Sequence, residues 1–430
     1  MKWISIMLFT CFVFLGFSMV DRATLAGKTA SPGEDYVLIG WNDLGMHCIN
    51  PSYADLGMLP PFNNLWVQVI QRGNPPRIVT SGISVEYAIA NNRTVEGKTD
   101  FWTCAASLFA DLIGVANPPN GIGLTGQGLS GQMQLVGDHF EATGIPALPY
   151  DDQLDWNPFQ TAVVTLKADS GKGKKAVKKI KVVLPVSDEI NCSQCHMQGM
   201  DGTVNLPADA ASGLTGTDNV YLNILMVHDF YNGPNASSPT TEQNLVDMRP
   251  VLCARCHSSN ALGAPGTPGT KSVSLAMHGW HNPDRAPDAT CYSCHPGELT
   301  QCLRTAINGM GYLGTEPSCQ SGQCHGGMSA MGDPSRNPWV SLPNCEQCHG
   351  VNYTTGTELY RHAKGHGGIY CEACHNSPHA WWPSKLWVDN LEPRKIQGTS
   401  YAIGRDCSVC HTKKQEGDSP HVTYYPRYPR

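Results

Sequence analysis

As far as about residue 187, apolar and polar positions alternate with the period of a β-strand. Ile83, Val85, Tyr87 and Ile89 are each separated by one other residue, and Trp66-Val67-Gln68-Val69-Ile70 keeps the same rhythm in part. Successive side chains on a strand point to opposite faces, so such a run buries one face and leaves the other to water. Thr161 to Leu166 and Ile180 to Val186 flank the Gly/Lys-rich stretch Asp169 to Lys174 and read as a hairpin, and Gly73-Asn74-Pro75-Pro76 reads as a turn. The pattern predicts an all-β part, an antiparallel β-sandwich over about residues 33 to 187, immunoglobulin-like among known forms. Strand number and order are not legible in it.

Two segments break this rhythm. Lys2 precedes the apolar run Ile4 to Val20, and small residues lie around Ala23 to Ala26. A charged start, an apolar run and a small-residue cleavage point make a secretory signal, expected over residues 1–26; as an uncleaved anchor the run is short for a bilayer. Composition then divides the chain near residue 188, giving a β-rich part over 27–188 and a second part over 189–430 that is rich in Gly and Pro. Long periodic stretches are few in that second part, which predicts sparse, short helices. The clearest is Asn219 to Phe230, with Tyr221, Ile224, Leu225 and His228 on one face.

The second part carries one motif seven times: a pair of cysteines followed at once by histidine. The sites are Cys192/Cys195/His196, Cys253/Cys256/His257, Cys291/Cys294/His295, Cys319/Cys324/His325, Cys345/Cys348/His349, Cys371/Cys374/His375 and Cys407/Cys410/His411. C-x-x-C-H is the signature of covalent haem attachment, in which two thiols form thioethers to the porphyrin and the histidine ligates the iron from the proximal side. Six sites have the two-residue spacer; the fourth, starting at Cys319, has four residues. Structural zinc also uses paired C-x-x-C, but zinc gives no reason for a histidine directly after every second cysteine. Seven haems within residues 189–430 must share walls and supply much of the core themselves.

Of 16 histidines, seven are proximal and two, His47 and His139, lie in the β part. Seven others are left as distal ligands for seven irons: His228, His278, His281, His362, His366, His379 and His421. The count predicts two histidines on every iron, a choice that gives low potentials and no open coordination position. Met197, Met200, Met226, Met277, Met310, Met328 and Met331 are the competing ligands. Of 18 cysteines, 14 belong to the motifs and Cys11 to the signal. In an exported chain Cys48 and Cys104 are the expected disulfide, which leaves Cys302 odd.

Charge adds little. The formal net charge is −6 and haem propionates would add to it, which argues against nucleic acid and for cationic or mineral partners. Six lysines between Lys172 and Lys181 read as the solvated face of the hairpin, with a docking patch as the minor alternative. No phosphate-binding loop and no G-x-S-x-G elbow is present. Asp43, His47 and Cys48 lack the further ligands that copper would need.

The seven motifs, the export signal and the histidine count resemble the multihaem c-type cytochromes that bacteria use to move electrons across and beyond the cell envelope. Gly40-Trp-Asn-Asp-Leu-Gly-Met-His-Cys48 is similar to a stretch in members of that group. The resemblance implies seven covalent haems c, electron transfer rather than catalysis, and an extracellular or outer-membrane location, with the periplasm as alternative. It implies other redox proteins or identical subunits as partners, the latter in a filament, or an outer-membrane porin complex or a mineral acceptor. Within such filaments a subunit can donate a histidine to its neighbour, a role for which His47 is the candidate. The competing functions are a reductase of nitrogen or sulfur oxyanions, which needs one open iron, and a relay docked to a membrane complex.

Overall fold

The computed structural model describes residues 35–113, 118–169, 173–197, 217–297, 299–305, 319, 324–337, 341, 345–346 and 355–415. The expected signal, Cys348, His349 and His421 lie outside them.

Two five-stranded sheets form the first half. One has the order β1 (Tyr36–Trp41), β4 (Asn63–Gln71), β9 (His139–Ile145), β8 (Gln134–Val136), with β5 (Arg77–Ile78) also paired to β4. The other runs β2 (His47–Cys48), β11 (Lys174–Ser187), β10 (Phe159–Asp169), β6 (Ile83–Ile89), β7 (Ser130–Gln132). All their pairings are antiparallel except that of β2 with β11, which is parallel. The predicted hairpin is β10 and β11, with Val164 opposite Ile180. Along β10, Gln160, Ala162, Val164, Leu166 and Ala168 are buried in strict alternation, as are Ile83, Val85, Tyr87 and Ile89 of β6. The apolar members of both strands meet Leu38, Leu65, Val67 and Val69 of the facing sheet in a single core. Full burial of apolar side chains the size of valine or leucine contributes roughly 1.5–3 kcal/mol each.

Helix α1 (Phe101–Ile113) lies within this part, where the alternation predicts strands alone. Phe101, Trp102, Ala105, Leu108 and Phe109 fill the core from it, and the Phe101 ring packs edge-on to Tyr53 at 5.1 Å.

Strand β1 does not alternate between core and water, because both of its faces are covered. Leu38 enters the sandwich core, whereas Val37, Ile39 and Trp41 join Tyr370, Ala373, Trp382, Ile403 and Val409 in a second cluster. Likewise β3 (Leu56–Gly57) pairs in parallel with β12 (Val251–Leu252). The shift of composition near residue 188 is therefore not a boundary of packing: C-terminal segments complete the outer face of the first sheet.

The second half is built from short pieces, as predicted. Helix α2 (Val220–Asn232) matches the expected helix; its N-cap Asn219 accepts from the Tyr221 and Leu222 amides and donates to Asp55 at 2.6 Å. Helix α3 (Val273–Trp280) is capped by the Ser272 hydroxyl, which accepts from the Leu275 amide. Among the described residues no helix is long and apolar enough to cross a membrane.

Three buried ionisable side chains sit on this seam. Arg304 and Asp389, with side chains only 4% and 1% exposed, form a forked pair at 2.8 and 3.3 Å. Glu392 is buried and accepts from the Gly40 amide at 2.8 Å. Burial raises the Glu392 carboxyl well above the usual carboxylate range, against the opposing pull of the Gly40 amide. A folded pKa above the unfolded one contributes stability that is full below the unfolded value and is lost as pH rises through the folded one. Glu392→Gln keeps an oxygen for the Gly40 amide and removes the titration. Urea midpoints of the wild type should therefore fall more than those of Glu392→Gln between pH 5 and pH 8; equal falls would place the carboxyl in the ordinary range.

Candidate functional site

The motifs bring histidines face to face. Five proximal histidines each stand opposite one of the expected distal ones, with ring centres 6.0 to 6.4 Å apart: His196 with His281, His257 with His228, His295 with His278, His325 with His379 and His411 with His366. An imidazole nitrogen sits about 2 Å from a first-row metal and about 1 Å from its own ring centre, so two rings on opposite sides of one ion stand roughly 6 Å apart. At this spacing both imidazoles of a pair could hold one metal ion. Ring planes lie between 14° (His278/His295) and 88° (His228/His257) of one another.

Local structure fixes these rings. At each of the five motifs the histidine amide donates to the carbonyl of the first cysteine, as His196 does to Cys192 and His411 to Cys407. That turn ties the imidazole to the first thiol. Distal rings are oriented by their second nitrogen: the Nδ1 of His278, His281 and His379 donates to the carbonyls of Ser274, Met277 and Leu44 at 2.8, 2.8 and 2.9 Å. Proximal His257 donates to Lys271 at 2.7 Å. A backbone acceptor on Nδ1 leaves Nε2 as the metal-binding nitrogen; at His379 the ring also hydrogen-bonds the Cys302 thiol, which a metal would have to displace. Burial, then neighbouring histidines, pushes His196, His295 and His325 down to about 4, so they are neutral, the ligating form, at pH 7. His379 is pushed up to about 9 by Cys302 beside it, against burial.

The sites do not follow chain order. Asn223 of α2, the helix bearing His228, donates to the His196 carbonyl at 2.6 Å, which sets the second site beside the first. Cys294 lies near enough to Cys192 to raise its pKa, and Cys319 hydrogen-bonds with Cys291, so the first adjoins the third and the third the fourth. His379 of the fourth follows His375 of the sixth by four residues. Cys371 feels Cys345, and Cys374 feels Cys410, which joins the fifth and seventh to the sixth. At the seventh, a cleft of about 470 Å³ is lined by Cys407, His411 and the cations Arg72, Arg405, Lys413 and Lys414, which suit carboxylates.

Gly40 to Cys48 forms the wall against which the fourth and sixth sites rest. Asn42 Oδ1 accepts from the Leu44 and Gly45 amides and so turns the chain. Gly45 has φ +75°, and a Cβ there would clash with the Ser377 hydroxyl; only glycine lets the loop approach the segment bearing His379. This supporting loop carries no signal in hydrophobic pattern.

His362 stands with its ring centre 6.1 Å from that of Trp66, and its expected partners at the fifth and sixth sites are His349, outside the described residues, and His375. Met200 and Met310 lie outside as well, and in none of the five pairs does a methionine stand in for histidine.

Among the motif thiols Cys195 and Cys256 are exposed, and Cys324 is half-buried like most of the others. The physical reason is the turn itself: at the first two motifs it carries His196 and His257 toward their partners and leaves the second thiol on the side that water reaches. At the fourth motif the four-residue spacer widens the turn, so the His325 amide reaches a carbonyl six residues back, at 3.2 Å, and Cys324 stands further from Cys319 along the chain than its counterparts do. The polypeptide by itself therefore leaves Cys195 and Cys256 open to water.

Two expectations are corrected. First, Cys48 and Cys104 do not form a disulfide: both are free, Cys104 beside Asp100 and Asp55, and Cys48 beside Cys302 and Glu189. Secondly, His47 is no donated ligand in this arrangement, being 6% exposed with Nε2 turned to Asp43 at 3.4 Å. Burial pushes the Asp43 carboxyl up, but His47 and Asn64 outweigh it and hold it low. His139 is also buried, between Glu141 and the Tyr370 hydroxyl.

No family model, no curated protein and no solved structure matches the chain.

Proposed function

We propose that the chain is an exported heptahaem c-type cytochrome that conducts electrons along closely spaced bis-histidine haems. The observation that carries this is the set of five histidine pairs at 6.0 to 6.4 Å, each joining a motif histidine to one outside the motifs. His362 and His421 are left for the fifth and sixth sites. When bound, haem supplies one-electron exchange at iron. The polypeptide supplies the thiols that would hold it, two imidazoles per iron, and a second layer of carbonyls that keeps several of those imidazoles in place. Each iron would thus be held by two facing imidazoles of this chain. Tetrahedral zinc asks for four side chains, and among the described residues no three metal-binding side chains gather.

An oxyanion reductase needs an iron with an open face, and the five pairs close theirs, which favours a carrier over a catalyst. The same chemistry serves an extracellular wire of identical subunits, a relay on an outer-membrane porin complex, or delivery to a mineral. With His47 buried, a filament would need some other link between subunits.

The test is to express the full chain with a c-type maturation system and to measure mass and electron paramagnetic resonance. We expect seven covalent haems and low-spin signals alone. Incorporation of zinc, or a resting high-spin fraction, would overturn the bis-histidine reading.

A further inference from the structure

We propose that Cys48 and Cys302 form a disulfide when the chain meets an oxidising thiol pool, fastening the edge of the second sheet to the segment that supports His379. Of the cysteines outside the motifs and the expected signal, these two are the pair that the fold brings together. Cys48 is the last residue of β2 and pairs with Ser187 of β11. The Ser187 hydroxyl lies 3.4 Å from that of Thr300, and the Glu189 carboxylate accepts from the Leu299 and Thr300 amides, so the chain leading into Cys302 runs alongside β2 and the end of β11. From the other side one nitrogen of Arg304 donates to the Gly45 carbonyl at 2.8 Å and to the Cys302 carbonyl at 3.4 Å. Gly45 is three residues before Cys48, so both cysteines are approached by the same clamp. The thiols are also close enough that Cys302 raises the pKa of Cys48.

The reaction is ordinary exchange. The thiolate of one cysteine attacks the disulfide of an oxidising protein or of oxidised glutathione, and the second cysteine displaces the reagent from the mixed disulfide. An Sγ–Sγ bond forms, the two thiols lose two electrons and two protons, and the reagent leaves as two thiols. Oxidation thus locks the Leu44 to Cys48 loop, whose Leu44 carbonyl orients His379, onto the Arg304 segment.

The proposal rests on the export reading only for where the oxidant is met, and the experiment separates the two. The haem-loaded full chain is denatured in acid with an alkylating agent, digested and analysed by mass spectrometry, once as isolated and once after equilibration with oxidised glutathione. The expected product is a Cys48–Cys302 linked peptide with Cys104 alkylated. In Cys302→Ser the link should vanish and Cys48 should become alkylated, and Cys48→Ser should free Cys302 in the same way. A link that forms only after glutathione supports the geometry and counts against an oxidising location. Alkylation of both thiols under both conditions, or a link to Cys104, would overturn the proposal.

Discussion

His278→Ala is expected to turn one haem in seven high-spin and leave the others low-spin. His278 lies on α3 with its ring centre 6.1 Å from that of His295 and its plane only 14° away, and its Nδ1 is held by the Ser274 carbonyl. Alanine removes the distal imidazole and leaves the thioethers and His295 in place, so the haem count should not change. His278→Met is the sharper variant: it keeps a sixth ligand but should raise that site's potential, since axial ligands tune haem over a range of about 0.8 V. The third site adjoins the first and the fourth, so a shifted potential there interrupts the series near its middle. Electron flow between its ends should slow while the other six potentials move little. An alanine variant with a wholly low-spin spectrum would show that His278 is not the ligand and that the pairing is wrong.

Arg304→Ala is expected to cost about 3–5 kcal/mol, because it leaves a buried carboxylate without its partner. Asp389 would keep only the Ser384 hydroxyl at 2.7 Å among the side chains that now donate to it, and the Gly45 carbonyl would lose its guanidinium donor. Arg304→Lys keeps the charge but not the fork, and should recover only part of the loss. If the proposed haems are held covalently the protein need not unfold in one step, so the reading should be local as well as global. Amide exchange should accelerate around Gly45 and Asp389, together with a lower urea midpoint. An unchanged midpoint with unchanged exchange would mean that the pair adds nothing over water. Because Gly45 and Leu44 belong to one loop, the variant should also perturb the haem signal at the site of His379.

Local features of the fold were legible where one rule governs a segment. The alternation in Ile83 to Ile89 and in the Thr161 to Val186 hairpin reads directly, since one face meets the core and the other meets water. The Asn219 to Phe230 helix was legible for the same reason, with a polar cap ahead of an apolar stripe. Helix α1 was not: its aromatic residues suit strands as well as helices, and only the space between the sheets selects the helix. Strand β1 reads as an unbroken apolar run because a second core covers it, and nothing near Tyr36 announces that Trp382 and Val409 will supply that cover.

The sequence by itself determined the motifs: which cysteines are spaced together, which histidine follows each pair, and how many other histidines are at hand. These are short-range facts, because attachment of one haem needs residues within a few positions of each other. Only the tertiary structure decided which distant histidine faces which motif, that the first site lies between the second and the third, that Cys195 and Cys256 face water, that Cys48 neighbours Cys302 rather than Cys104, and that His47 is buried. The physical reason is that each of these depends on segments far apart in the chain, set by how two sheets and a series of short turns close over one another. Spacing along the sequence carries no record of that closure.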